Sequence, residues 1–130
     1  MVLVAFEWYP FEVVRDPGLI RRNLSTFVEV PFAGFYWSDP LSALADAVTK
    51  VLMAAPMGVF TQFVIASPIG GSGSSRRALI AFFPFFVVFC CVEIGQAFMA
   101  GRYASITDAL LLTAAATGGC VIAATLTPRR

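Results

Sequence analysis

The sequence predicts an all-α fold, a polytopic bundle of transmembrane helices with three full spans and a shorter N-terminal segment, and three observations predict it. The 130 residues are 58% hydrophobic and only 13% charged, against the roughly 25% charge usual in soluble domains. The apolar residues are gathered into blocks near the ~20 residues that a ~30 Å hydrocarbon core requires. A core built by so short a chain cannot bury those blocks on all sides, whereas a bilayer can cover them.

The first block, Val2 to Phe6, is followed at once by Glu7, Trp8, Tyr9 and Pro10, so it is too short to cross. Trp and Tyr beside an apolar run mark a membrane interface. The segment lacks the basic start and small-residue cleavage site of a signal peptide. Residues 1–11 are therefore expected to be the end of a first span truncated upstream. Residues 12–38 hold Arg15, Arg21, Arg22, Glu29 and the aromatic cluster Phe35-Tyr36-Trp37, and are expected to lie along the extracytoplasmic headgroups. Asn23-Leu24-Ser25 matches a glycosylation sequon, a pattern too common to carry weight.

Residues 39–67 form the next expected helix. Asp39 can cap it and Pro40 suits the first helical position. Asp46 and Lys50 follow at i and i+4 in the favourable acid-first order, and Pro56 with nearby Gly58 should bend the helix in mid-membrane. The linker Pro68 to Ser75 is flexible and polar, and lacks the Gly-Lys-Ser/Thr ending of a phosphate-binding loop. The strongest span, residues 78–100, comes directly after Arg76-Arg77. The last, residues 106–126, is rich in Ala, Gly and Thr, which let helices approach closely where lipid supplies no hydrophobic drive.

Orientation is read from Arg76-Arg77 and Arg129-Arg130, which stand within a few residues of span ends and are expected to be cytoplasmic. The C-terminus is then cytoplasmic and the turn Gly101 to Ser105 extracytoplasmic. Arg15, Arg21 and Arg22 compete for the cytoplasmic side but stand well over ~20 residues before the first complete span.

Several chemistries are excluded. A net charge of +1 without a block of like charge sets nucleic acid aside. The three cysteines, two of them adjacent at Cys90 and Cys91, make neither a disulfide framework nor a metal-ligand spacing. With no histidine, the commonest general base and every Ser-His or Cys-His device are gone, so chemistry must rest on carboxylates, Lys or Arg. No metal or cofactor is expected.

One polar constellation stands out near the 101–105 turn. Glu93 and Gln96 lie on one face of the 78–100 helix, Arg102 follows its end, and Asp108 opens the next helix. At 1.5 Å per residue Glu93 lies about 10 Å below the helix end, inside the hydrocarbon but in reach of a long arginine at the rim. A carboxylate there costs several kcal/mol unless it is paired or protonated. One reading is structural: Glu93 pairs with Lys50 or Arg102 to lock helices together, Gln96 is interhelical glue, and Asp108 closes a Ser-x-x-Asp capping box begun by Ser105. In that reading Arg102 anchors at the interface and Lys50 snorkels to the headgroups. The other is a small polar pocket facing the outer leaflet, in which Arg102 and Lys50 contact an anionic group while Glu93 and Asp108 position or deprotonate it. The candidate ligand-binding residues are Glu93, Gln96, Arg102, Asp108 and Lys50.

The run Val92-Glu93-Ile94-Gly95-Gln96 to Gly101-Arg102, followed by Asp108 at the head of a small-residue span, resembles the VanZ-like membrane family with its Glu-x-x-Gln, Arg and Asp pattern. Pro56-Met57-Gly58 is similar to its Pro-x-Gly signature, and Pro31-Phe32 to its Pro-Phe element. The likeness runs from about Val30 onward. It implies a single four- or five-helix, mostly bacterial membrane domain, named for a member associated with resistance to the glycopeptide teicoplanin. Where the family tends to show Asn this chain has Lys50, and where it tends to show Asn and Gly after the Asp this chain has Leu112 and Ala115.

The expected function is a cell-envelope membrane protein that binds or acts on a lipid-linked or cell-wall-related ligand at the outer leaflet. Membrane lipid and a cell-wall precursor are the expected partners. The alternative is a non-catalytic module that assembles with other membrane proteins, its polar residues serving packing alone. A transporter or channel is disfavoured, because so few intramembrane charges mark no pathway.

Overall fold

The computed structural model describes residues 2–32, 39–65 and 74–126, and among them the chain is helical without a strand. The helices are α1 (Val2–Trp8), α2 (Pro17–Ser25), α3 (Pro40–Ile65), α4 (Ser74–Gln96) and α5 (Ile106–Leu126), with a short 3-10 turn at Thr26–Val28. The aromatic cluster Phe35-Tyr36-Trp37, most of the Pro68 to Ser75 linker and the terminal Arg129-Arg130 lie outside the described residues.

Local chemistry explains where the helices begin. The Asp39 carboxylate accepts from the Ser42 N–H at 3.0 Å, ahead of Pro40 at the first helical position. Asp16 does the same for α2, accepting from the Gly18 N–H at 2.9 Å, with Pro17 following. α3 continues as helix through Pro56. α4 contains a proline of its own, Pro84, whose ring leaves the carbonyl four residues earlier without its usual partner.

α5 is the middle helix, packed against α3 on one side and α4 on the other. Lys50, early in α3, meets Asp108, early in α5, and Gln62, late in α3, meets Cys120, late in α5, so these two helices run parallel. α4 runs the opposite way, and its C-terminal Glu93 meets Ser105 just ahead of α5.

The α3–α5 seam is closed by backbone. A Cβ on Gly58 would strike the Ala116 carbonyl, and one on Gly119 would strike the Ala55 carbonyl, so both positions must lack a side chain for the helices to approach this closely. The buried core is small: Ala54, Phe89, Leu112 and Ala116 are its centre. Most large apolar side chains point outward instead, including Leu41, Phe60, Phe63 and Val64 of α3 and Phe83 of α4. Only 17% of the most apolar window of α3 is buried, where the core helix of a soluble protein would be mostly covered. That surface suits acyl chains rather than water.

α3 over Pro40–Val64 and α5 over Ile106–Leu126 are long and apolar enough to cross a membrane. The corresponding stretch of α4, Ile80–Gln96, is shorter. α4 as a whole starts and stops earlier than the 78–100 span anticipated from hydropathy. Its C-terminal end has a physical reason: after Gln96 the chain tightens into i to i+3 bonds, and residues 12–14 then capture its backbone. The Val14 N–H donates to the Phe98 carbonyl at 2.8 Å and the Ala100 N–H to the Glu12 carbonyl at 2.7 Å. The apolar residues Ala97 to Ala100 thus pair in an isolated antiparallel bridge between Val13 and Met99 instead of continuing the helix.

The rest of the N-terminal segment is tied to the same turn. The Ala104 N–H donates to the Asn23 carbonyl, the Thr26 hydroxyl to the Ala104 carbonyl at 2.9 Å, and the Asn23 amide to the Ala97 carbonyl at 3.2 Å. The nitrogen of the sequon asparagine is therefore engaged inside the protein. Arg15, Arg21 and Arg22 share this end of the bundle with Arg102.

Candidate functional site

The polar constellation gathers at the end where α4 finishes and α5 starts, and every helix of the bundle contributes to it. Glu93 is fully buried. One of its oxygens accepts from the Gln96 side chain at 3.1 Å and the other from the Ser105 N–H at 3.2 Å. Spacing explains the first contact, since i and i+3 share a helix face. The second repurposes a helix cap. Ser105 begins the expected capping box, with its hydroxyl accepting from the Asp108 N–H at 3.4 Å. The return bond of such a box would run from the Ser105 N–H to Asp108. Here Glu93 takes that N–H, and the Asp108 carboxylate turns to Lys50.

Lys50 is 5% exposed, and its Nζ lies 2.5 Å from Asp46 Oδ2 and 2.6 Å from Asp108 Oδ2. A buried ammonium bracketed by two carboxylates is well compensated. It is not a spare donor for an anion, contrary to the role in which Lys50 grips a headgroup, and it bonds Asp108 rather than Glu93. Lys50 stays within Coulombic range of Glu93. Arg102 is half-buried at the rim and its Nε donates to the Tyr9 carbonyl at 3.2 Å. Its charge is felt at Glu7.

Glu7 is the residue that sequence reasoning left out. It is 3% exposed, and its Oε2 accepts from the Gln96 Nε2 at 2.9 Å. A single side-chain amide therefore clasps two buried carboxylates, Glu7 from α1 and Glu93 from α4. The neighbouring Trp8 fixes α1 in place: its indole N–H donates to the Val92 carbonyl at 3.1 Å and its ring lies over Gly95. The other oxygen of Glu7, Oε1, is buried without a hydrogen-bond partner among the described residues. The available signal was an acid directly after an apolar run, but it is also what a chain leaving the membrane looks like.

Beside this cluster lies a cleft of about 200 Å³, lined among others by Thr26, Glu29, Asp46, Tyr103, Ser105 and Asp108. Two of those residues belong to the buried network as well: Ser105 through its N–H on Glu93, and Asp108 through Lys50. Among the described residues no group of three or more His, Cys, Asp or Glu side chains is arranged to hold a metal ion.

The family model described as VanZ/LLP1 matches residues 1–127. This chain belongs to the VanZ/LLP1 family. No curated protein and no solved structure matches it. The VanZ/LLP1 match starts well ahead of the Val30 region where the motif likeness begins, and it takes in α1 and Glu7. Family and composition agree on a membrane protein with partly apolar helices.

Proposed function

We propose that this VanZ/LLP1 protein is a multi-pass protein of the bacterial plasma membrane that binds or acts on a lipid-linked or cell-wall-related ligand at the outer leaflet. In this reading α3, α4 and α5 all cross, and the C-terminus is cytoplasmic. The ligand meets the end where Glu93, Gln96, Arg102, Asp108 and Lys50 gather. The observation that carries the reading is the concentration of acids: all eight Asp and Glu residues occur either between residues 7 and 46 or at Glu93 and Asp108, while Arg76-Arg77 precede the apolar part of α4. Burying carboxylates is costly, so a membrane protein that collects them at one end has a use for them there. The family's association with teicoplanin links that use to the cell envelope.

A second reading is favoured by one observation: both oxygens of Glu93 and the charge of Lys50 are satisfied inside the protein, as a packing network requires. Arg102→Ala separates the two. In a host whose teicoplanin tolerance depends on this chain, loss of tolerance at normal membrane levels supports the ligand site, and loss of the protein itself supports packing. A reporter fused to the C-terminus tests orientation: activity of a periplasmic reporter there would overturn the cytoplasmic assignment.

A further inference from the structure

The buried end of the bundle carries more negative charge than its own cations answer. Glu7 lies within Coulombic range of Lys50, Asp108, Arg102 and Asp46, and Glu93 within range of Asp108, Glu7 and Lys50. Four carboxylates thus face two cations, and one of those, Lys50, is bonded to both aspartates. A buried polar atom without a partner costs about 1–3 kcal/mol, more for a charged group. Oε1 of Glu7 is such an atom among the described residues. A proton on that oxygen would not remove the problem, because the O–H would then lack an acceptor. What is missing is a hydrogen-bond donor, and the local charge favours a positive one.

The cleft supplies the place. Asp46 and Asp108 are on its wall with Glu29 beside them, and the hydroxyl-bearing residues Thr26, Tyr103 and Ser105 complete the lining. Both aspartates lie within Coulombic range of Glu7. A volume of about 200 Å³ admits a small headgroup, several times the ~30 Å³ that a water occupies in the liquid. A quaternary ammonium would bring charge but no N–H, and a phosphate would meet acids on every side.

We propose that this cleft binds a primary ammonium group, drawn in by Glu29, Asp46 and Asp108 and answered from behind by the open carboxylate of Glu7. The inference rests on the outer-leaflet reading above and names the chemistry its ligand brings to that site. Two sources carry such a group at a membrane surface: an ethanolamine-type lipid headgroup and a free small amine. Glu7 becomes a member of the site through charge, and Gln96 holds it in register with Glu93.

The full chain in nanodiscs of mixed phosphatidylcholine, phosphatidylethanolamine and phosphatidylglycerol tests this, with native mass spectrometry reading which lipids leave with the protein. The ethanolamine lipid is expected to be retained over the choline lipid by about tenfold or more, the scale of one charge-assisted hydrogen bond. Glu7→Gln keeps the shape and removes the charge, and should abolish most of that preference. Glu29→Gln, at an exposed position that folding does not depend on, should weaken it. Displacement by free ethanolamine assigns recognition to the ammonium alone, and a preference that free ethanolamine cannot displace assigns it to the lipid-borne group. Equal retention of ethanolamine and choline lipids, or a preference untouched by both variants, overturns the inference. Selection of phosphatidylglycerol over both would overturn the ammonium chemistry while leaving an outer-leaflet lipid site standing, and no selection at all would remove both.

Discussion

The two ends of the α3–α5 contact are held by opposite means. In its middle and lower part, Gly58 and Gly119 let the helices meet backbone to backbone, with Ala54 and Ala116 filling what space remains. At the other end the same pair of helices is joined by Lys50 set between Asp46 and Asp108, and Glu93 reaches across to the Ser105 N–H. Close packing of small residues is sufficient to associate helices in lipid, as the lower part demonstrates. The charged end is therefore not there because α3 and α5 have no other way to pack. That contrast is the reason to read it as a site.

Breaking the charged end should have the largest effect. Lys50→Met leaves two carboxylates facing each other without their cation and should cost about 3–5 kcal/mol, or prevent accumulation. Thermal unfolding in nanodiscs measures this, and adding Asp108→Asn should restore part of the loss. Gly58→Val drives a side chain into the Ala116 carbonyl and should cost about 1–3 kcal/mol or more by the same measurement, with no rescue from charge-neutralising changes. Trp8→Phe keeps the ring but removes the N–H bonded to Val92, and should cost about 1 kcal/mol while loosening α1. Hydrogen exchange at residues 2–8 would register that loosening. Phe60→Leu on the outward face of α3 is the control, expected to stay within about 0.5 kcal/mol because it touches lipid rather than protein.

Much of the bundle was legible in the sequence because local signals were strong. Asp39-Pro40 and Ser105 mark helix starts that capping chemistry makes readable from a few residues. Glu93 and Gln96 shared a face by spacing alone. The errors are of another kind. The end of α4 depends on a backbone bridge from residues 12–14, and no local pattern in Phe98-Met99-Ala100 announces a partner so far away in the chain. Glu7 was read as the place where a span leaves the membrane, and only the docking of Trp8 on Gly95 brings it to Gln96. Asp108 satisfied a capping motif so well that its long-range bond to Lys50 was hidden behind it. Lys50 shows the same limit, because its pairing with Asp46 was readable at i and i+4 while its bond across to α5 was not.

The account depends most on Glu7 and Glu93 acting as one unit through Gln96. A double-mutant cycle of Glu7→Gln and Glu93→Gln, read by unfolding free energy in nanodiscs, tests that directly. Two carboxylates clasped by one amide should show a coupling of about 1 kcal/mol or more. Additivity within about 0.3–0.5 kcal/mol would mean that the two acids do not share an environment, and the cluster described here would be contradicted.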